Sequence, residues 1–286
     1  MIKIGFIGAG VVATSLATAL DSKSYPVVAV SSRSQKSADK LARFIADCQA
    51  YNNNQQAADA AELIFITTPD DVIASVAADV KWRPGQSVVH CSGVDSTDIL
   101  APAGEAGAAV GAFHPLQTFT GLRQENLPGI TYAIEANEPL LTILRGMTAS
   151  LGGLWIELKA EDKVLYHTAA VFTCNYLVTL FKLATDLWDG FGIPPQQATQ
   201  ALLPLLQGTI NNIDSTGIPQ CLTGPIARGD SGTIKKHLNA LQKAAPELTR
   251  TYRELGLKTI PIALAKGKID DKQADELAAI LSQPIT

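Results

Sequence analysis

Up to about residue 158, short runs of apolar and β-branched residues alternate with stretches whose apolar positions recur every three or four residues. The runs at 2–7, 27–31, 62–67, 87–91, 109–113, 131–135 and 154–158 predict strands. The stretches at 10–21, 36–47, 70–80, 96–106 and 138–151 predict helices, punctuated by Pro84-Gly85, Gly104, Gly107 and Gly152-Gly153. Strand and helix in alternation predict an α/β, doubly wound parallel sheet. Beyond Leu158 the strand pattern stops. A long apolar helix is expected from Glu161 to about Gly190, then shorter helices broken at Pro194-Pro195, Gly208, 217–219 and Gly256. The expected organisation is a sheet domain at 1–158 and an all-α C-terminal domain at 159–286.

Composition fits that division. The 286 residues suffice for about two domains of roughly 150 residues. Charged residues are only 17% and apolar ones 47%, and the net charge of −4 comes without any run of like charges, so nucleic acid is not an expected partner. Cys48, Cys91, Cys174 and Cys221 are scattered without metal-ligand spacing, so no metal is expected and a reduced, cytoplasmic setting fits. The uncharged stretch 164–181 has the length of a membrane span. It carries His167, Asn175 and threonines, however, and is read as a helix buried inside a protein, with no membrane partner.

The first strand runs directly into Gly8-Ala9-Gly10-Val11-Val12-Ala13 and a helix. This is the G-x-G-x-x-A turn of dinucleotide-binding (Rossmann) domains. Gly8 permits the tight turn, Gly10 lets the backbone approach a pyrophosphate, and Ala13 lets helix and strand pack closely. Ala9, Val11 and Val12 sit at the helix N-terminus that faces the anion. A tight turn without a ligand is the alternative. About twenty residues on, where an NAD site places a carboxylate, the chain reads Ser32-Arg33-Ser34. An arginine flanked by hydroxyls suits a 2′-phosphate, so NADP(H) is the expected cofactor. Against this, Arg33 could be a solvated loop cation and Ser34 a helix N-cap. Thr67, Thr68 and Pro69, at the carboxyl end of a buried strand, are expected to border the ribose and nicotinamide, with Asp70 equally readable as a cap.

Two further loops close strands of the same sheet: His90-Cys91-Ser92-Gly93 and Phe113-His114-Pro115-Leu116-Gln117. Hydride chemistry at a carbonyl needs a proton donor and a group that polarises the oxygen. His114 suits the first task and Ser92 the second, although a strand-end histidine bonded to backbone would look the same. His90 reads as a core histidine, and Cys91 points away from Ser92. On an unbroken helix at about 100° per residue, His167 and Asn175 are about 80° apart and can share a cleft. A helix-to-helix hydrogen bond is the plainer use of His167. Farther on, Thr223 and Pro225 resemble a helix start and Asp230 or Ser231 the cap of the next helix, whose apolar stripe is Ile234, Leu238 and Leu241. Arg228 lies in the Gly-bracketed turn between them, placed for a substrate carboxylate or for a salt bridge.

Taken together, Ile4-Gly5-Phe6-Ile7-Gly8-Ala9-Gly10, Ser32-Arg33-Ser34, His90-Cys91-Ser92-Gly93, Phe113-His114-Pro115-Leu116-Gln117 and Leu222-Thr223-Gly224-Pro225-Ile226-Ala227-Arg228-Gly229-Asp230 make the chain resemble, over essentially its whole length, a bacterial family of Rossmann-like NADP oxidoreductases. That family has a helical C-terminal domain of formerly unknown function. The resemblance implies membership of the 6-phosphogluconate-dehydrogenase-like superfamily and a homodimer formed through the helical domain. One branch is similar to an alternative ketopantoate reductase. Ser92 followed by His114-Pro115 also resembles, locally, prephenate dehydrogenases, in which the histidine is the base. The expected function is therefore NADPH-dependent reduction of a small 2-keto acid, ketopantoate first, with His114, Ser92, Asn175 and Arg228 as the catalytic set. An NADP-dependent dehydrogenase and a non-catalytic NADP(H) sensor are the alternatives.

Overall fold

A computed structural model of the chain describes residues 1–121 and 127–283. One sheet contains β1 (Ile4–Ile7), β2 (Val27–Ser31), β3 (Gln49–Tyr51), β4 (Leu63–Ile66), β5 (Ser87–His90), β6 (Ala109–Pro115), β7 (Thr131–Ala136) and β8 (Leu154–Glu157). Their order across the sheet is β3-β2-β1-β4-β5-β6-β7-β8. The chain thus starts at β1, runs outward to β3, and returns to β4 on the other side of β1. This reversal is the switch point at whose carboxyl edge a crevice opens. The short, polar β3 and the helix after it, Asn54–Asp59, carry no apolar run and are not legible in the hydrophobic pattern. Neighbouring strands are parallel except β6 and β7, where His114 lies opposite Ala133. The sequence offers no helix between these two strands, and a return without a crossover helix is antiparallel.

Helices α1 (Val11–Ser22), α2 (Gln35–Ala42), α3 (Asn54–Asp59), α4 (Asp70–Asp79), α5 (Ala101–Glu105) and α6 (Leu140–Ser150) cover the sheet. Both faces of the central strands β1, β4 and β5 are buried, which is why these read as continuous apolar runs. On one face Phe6, Phe65, Phe113 and Tyr132 form a ladder, with successive centroids 5.3, 6.0 and 4.6 Å apart. Leu16 and Leu20 of α1 and Leu144 and Met147 of α6 pack against it. The alternate residues Ile7, Ile64, Ile66 and Val88 face Ile73, Val76 and Ala77 of α4.

The strand pattern ends with β8, close to the expected boundary, yet the chain divides into compact units later, at Met1–Tyr176 and Leu177–Thr286. The reason is α7 (Lys163–Thr173), whose buried Lys163 is paired with Glu135 of β7. The expected helix from Glu161 to Gly190 is in fact two, α7 and α8 (Asn175–Asp189), separated at Cys174. It is also not buried by the chain: Val164, Leu165, Phe172 and Val178 are each more than half exposed. Ala160–Asp189, taken through that break, is long and apolar enough to cross a membrane by length and composition alone.

In the second unit, α9 (Pro195–Thr216) and α11 (Thr249–Ala265) run through Gly208 and Gly256, so these glycines do not break helices as expected. Gly256 instead serves packing, because a Cβ there would come 2.9 Å from Leu281 of α12 (Asp271–Leu281). The stripe Ile234, Leu238 and Leu241 of α10 (Ser231–Ala244) is buried, and Asp230 caps that helix through the amide of Thr233.

Phe65 is fully buried between Phe6 and Phe113. Phe65→Ala is expected to lower stability by about 3–5 kcal/mol in denaturant titration.

Candidate functional site

The site grows from the backbone at the carboxyl edge of the sheet. Gly8 has φ +109°, and a Cβ on it would lie 2.7 Å from the carbonyl of Thr67, so only glycine fits there. The Thr67 hydroxyl donates to the carbonyls of Ile7 and Gly8 at 3.3 and 3.1 Å, tying the end of β4 to the turn after β1. Gly10 is different. A Cβ on it would meet nothing within 4 Å, so its backbone faces open space. A cleft of about 530 Å³ opens here, lined by Ala9, Gly10, Val11 and Thr14 together with residues of α2. Among the described residues no side chain caps the N-terminus of α1, and its first turn holds no acid, which leaves its amides for an anion. The Thr68 hydroxyl is buried without a partner among the described residues. A bare turn, an uncapped helix and an orphaned hydroxyl at one edge fit a dinucleotide.

Ser32, Arg33 and Ser34 follow β2. Arg33 is exposed and makes no ion pair among the described residues, whereas Ser34 caps α2 by accepting from the amide of Ser37. Cap and phosphate ligand remain compatible for Ser34.

From Thr67 the edge continues through Pro69 to Asp70, and Asp70 reaches the next loop. The Ser92 hydroxyl lies 3.0 Å from Asp70 Oδ2 and 2.9 Å from Asp95 Oδ2, and it accepts from the amides of Val94 and Asp95. Ser92 is buried and its single proton is committed within the loop. That geometry makes it a brace for the loop, in place of the free oxygen-polarising donor expected from sequence. Gly93 follows. A Cβ on it would lie 2.8 Å from Nε2 of His114 and 2.9 Å from Cδ2 of His167, so the loop packs directly on both rings.

His114 ends β6 with Nδ1 2.8 Å from the hydroxyl of Tyr166, the rings meeting edge to face. The His167 ring centroid is 6.3 Å away. Tyr166 and His167 come from α7, so three rings from two elements converge. Burial lowers the His114 pKa to about 4, with help from His167 and Lys163. Burial likewise raises the Tyr166 phenol to about 12. At neutral pH the pair is therefore an uncharged imidazole bonded to an intact phenol. Tyr166 is a functional candidate that motif reading misses, since a tyrosine on an apolar helix gives no signal until its partner is placed.

His90 is wholly buried, accepts from the amide of Ser92 at 3.2 Å, and is lowered to about 3 by burial and by Lys163, as a core histidine should be. Burial pushes the Cys91 thiol up to about 12, and so removes it as a nucleophile. Asn175 opens α8 beyond the break at Cys174, so the helical phase that linked it to His167 does not carry across. Arg228, in the second unit, lies exposed at the end of a short 3-10 turn, Ile226–Arg228, before Gly229 at φ +67°. It forms no salt bridge among the described residues. It lines a cleft of about 390 Å³ with Thr223, Lys266 and Lys268.

Residues 1–115 match the family described as Rossmann-like domain, and residues 130–259 match Domain of unknown function (DUF2520). No curated protein sequence matches the chain. Among solved structures, a Bacteroides fragilis protein named "putative NADP oxidoreductase" is 26% identical, with a TM-score of 0.71 over 94% of this chain and 98% of that one. The reductive aminase from Aspergillus terreus, solved with NADPH and ethyl levulinate, is 17% identical with a TM-score of 0.68 over 98% and 99%. Plasmodium falciparum pyrroline carboxylate reductase, solved with NADP, is 14% identical with a TM-score of 0.57 over 98% of each chain.

Two outcomes follow from this geometry. His90 and His114 stay neutral to about pH 3 and 4 when folded, whereas unfolded rings take protons below about 6.5. The unfolded state thus binds more protons through that window, and stability should fall as pH drops from about 6.5 to 4, by on the order of 2–3 kcal/mol per ring. Chemical denaturation across that range reads the loss, and His114→Asn should shrink it. Gly93→Ala should displace His114 and His167, visible as shifted histidine ring signals in NMR with the fold retained.

Proposed function

Because the chain joins a Rossmann-like domain to a DUF2520 domain, we propose that it is an NADPH-dependent oxidoreductase reducing the keto group of a small 2-keto acid, with ketopantoate the first substrate to try. The observation that carries this reading is the unbroken line of contacts from Gly8 to Thr67, Asp70 to Ser92, and Gly93 to His114 and Tyr166 along one sheet edge. Its direction, from the glycine turn toward the histidine, suits a dinucleotide. The sharing of this fold by structures solved with NADP or NADPH supports the choice of cofactor.

In this reading the amides at the start of α1 hold the pyrophosphate, and Arg33 with Ser32 and Ser34 takes the 2′-phosphate. Thr67, Thr68 and Pro69 border the nicotinamide ribose. Bound NADPH supplies a hydride. The proton for the developing alkoxide comes from the Tyr166 phenol, which is intact at neutral pH, with the neutral His114 ring bonded to it as the relay that returns a proton to it. Ser92 keeps Gly93 pressed against the ring, so its part is orientation. Asn175 orients the keto oxygen.

A second reading, oxidation of a hydroxylated carboxylate with His114 as base, is favoured by one observation: the ring is already neutral and ready to accept a proton. A second copy of the chain is the proposed cover for the exposed apolar side chains of α7 and α8, consistent with a cytoplasmic homodimer.

NADPH oxidation against a panel of 2-keto acids including ketopantoate should show turnover, reduced by about 10²-fold or more in His114→Ala. Arg33→Ala should weaken NADPH binding about tenfold while leaving NADH unchanged. Turnover only of hydroxy acids with NADP would move the assignment to the second reading. NADPH binding without turnover of either class would leave a sensor.

A further inference from the structure

Lys163 is an expensive residue where it stands. It opens α7, is 2% exposed, and carries its ammonium at the positive end of the helix. Burial penalises the charge, and the helix dipole penalises it again. Helix stability does not account for a lysine here.

Its surroundings do. The ammonium lies 3.2 Å from Oε2 of Glu135, and Oε1 of Glu135 accepts from the amide and hydroxyl of Thr97 at 3.2 and 2.8 Å. Glu135 is two residues along β7 from Ala133, which sits opposite His114, so Glu135 and His114 project from the same face of the sheet. Lys163, Tyr166 and His167 occupy positions i, i+3 and i+4, one face of α7. Gly93, His114, Glu135, Lys163 and Tyr166 line one narrow gap with no room for water. The ion pair thus fixes the first turn of the helix that delivers both ring partners of His114.

We propose that Lys163 is the positioning residue of this site: its pairing with Glu135 sets the rotation of α7 that seats Tyr166 on Nδ1 of His114, and it keeps a fixed positive charge behind that ring. The groups acting on His114 are Lys163, Tyr166 and His167 from α7 and His90 from β5, with Glu135 and Asp95 answering Lys163. Burial first, then His167 and Lys163, hold the ring neutral. The proposal rests on His114 as the proton-handling group but on no particular substrate.

The test is a histidine ring titration by NMR on the full chain without ligand. Wild type should titrate His114 near the acid end, and Lys163→Met should raise that midpoint by about half a unit or more. Lys163→Arg should restore it, because the positive charge is kept. A folded Lys163→Met protein with an unchanged midpoint would overturn the proposal. Should that variant not fold, Lys163→Gln combined with Glu135→Gln, which removes both charges and keeps both side chains, is read by the same criterion. Failure of both to fold would make the pair merely structural and equally overturn it. Absence of keto acid turnover leaves this titration untouched, so the two readings fail separately.

Discussion

Two close approaches of backbone to neighbour set the geometry of this protein's working edge. At Gly8 the chain passes so near the end of β4 that no side chain can stand between them, and at Gly93 it lies directly on the rings of His114 and His167. Parallel strands make this arrangement available, because all their carboxyl ends open on one side and each is followed by a loop. The order of the sheet then decides which loops meet. With β1 beside β4, β4 beside β5, and β5 beside β6, the turn after residue 7, the threonines after residue 66, the loop after His90 and the end of β6 fall in one row. Everything chemical in the first unit is strung along that row.

The second determinant is electrostatic economy. A chain with few charges buries one of them, Lys163, at a helix start, and compensates it with a carboxylate that is itself held by Thr97. The same low-polarity environment keeps both His90 and His114 neutral and Tyr166 protonated. A neutral histidine bonded to an intact phenol can pass a proton in either direction. The direction of the proposed redox reaction is therefore set by cofactor and substrate more than by the resting state of the pair.

Much of this was legible in the sequence, and for definable reasons. The glycine turn and the apolar strands are local signals, so β1, β4 and β5 and the switch from sheet to helix can be read directly. Asp230 and Ser34 announce themselves as caps by residue type and position. What escaped depends on partners distant in the chain. Tyr166 is anonymous until β6 brings His114 to it, and Lys163 looks like an ordinary surface lysine until Glu135 is placed beneath it. Ser92 was assigned a free hydroxyl because nothing local reveals that Asp70 and Asp95 converge on it. Helical phase was carried from His167 to Asn175 across a break at Cys174 that no proline or glycine marks. The buried spine expected at 164–181 is not found within this chain, because apolar periodicity reports that a face wants covering and is silent on whether the same chain covers it.

The central claim is that a nicotinamide dinucleotide lies along this edge with its reactive end at His114. Titrating NADPH into the full chain while following the histidine ring signals tests it most directly. The account predicts that the His114 and His167 signals shift together and saturate at the NADPH concentration at which calorimetry shows binding to saturate. Saturating NADPH that binds while leaving the His114 signal unmoved would contradict it.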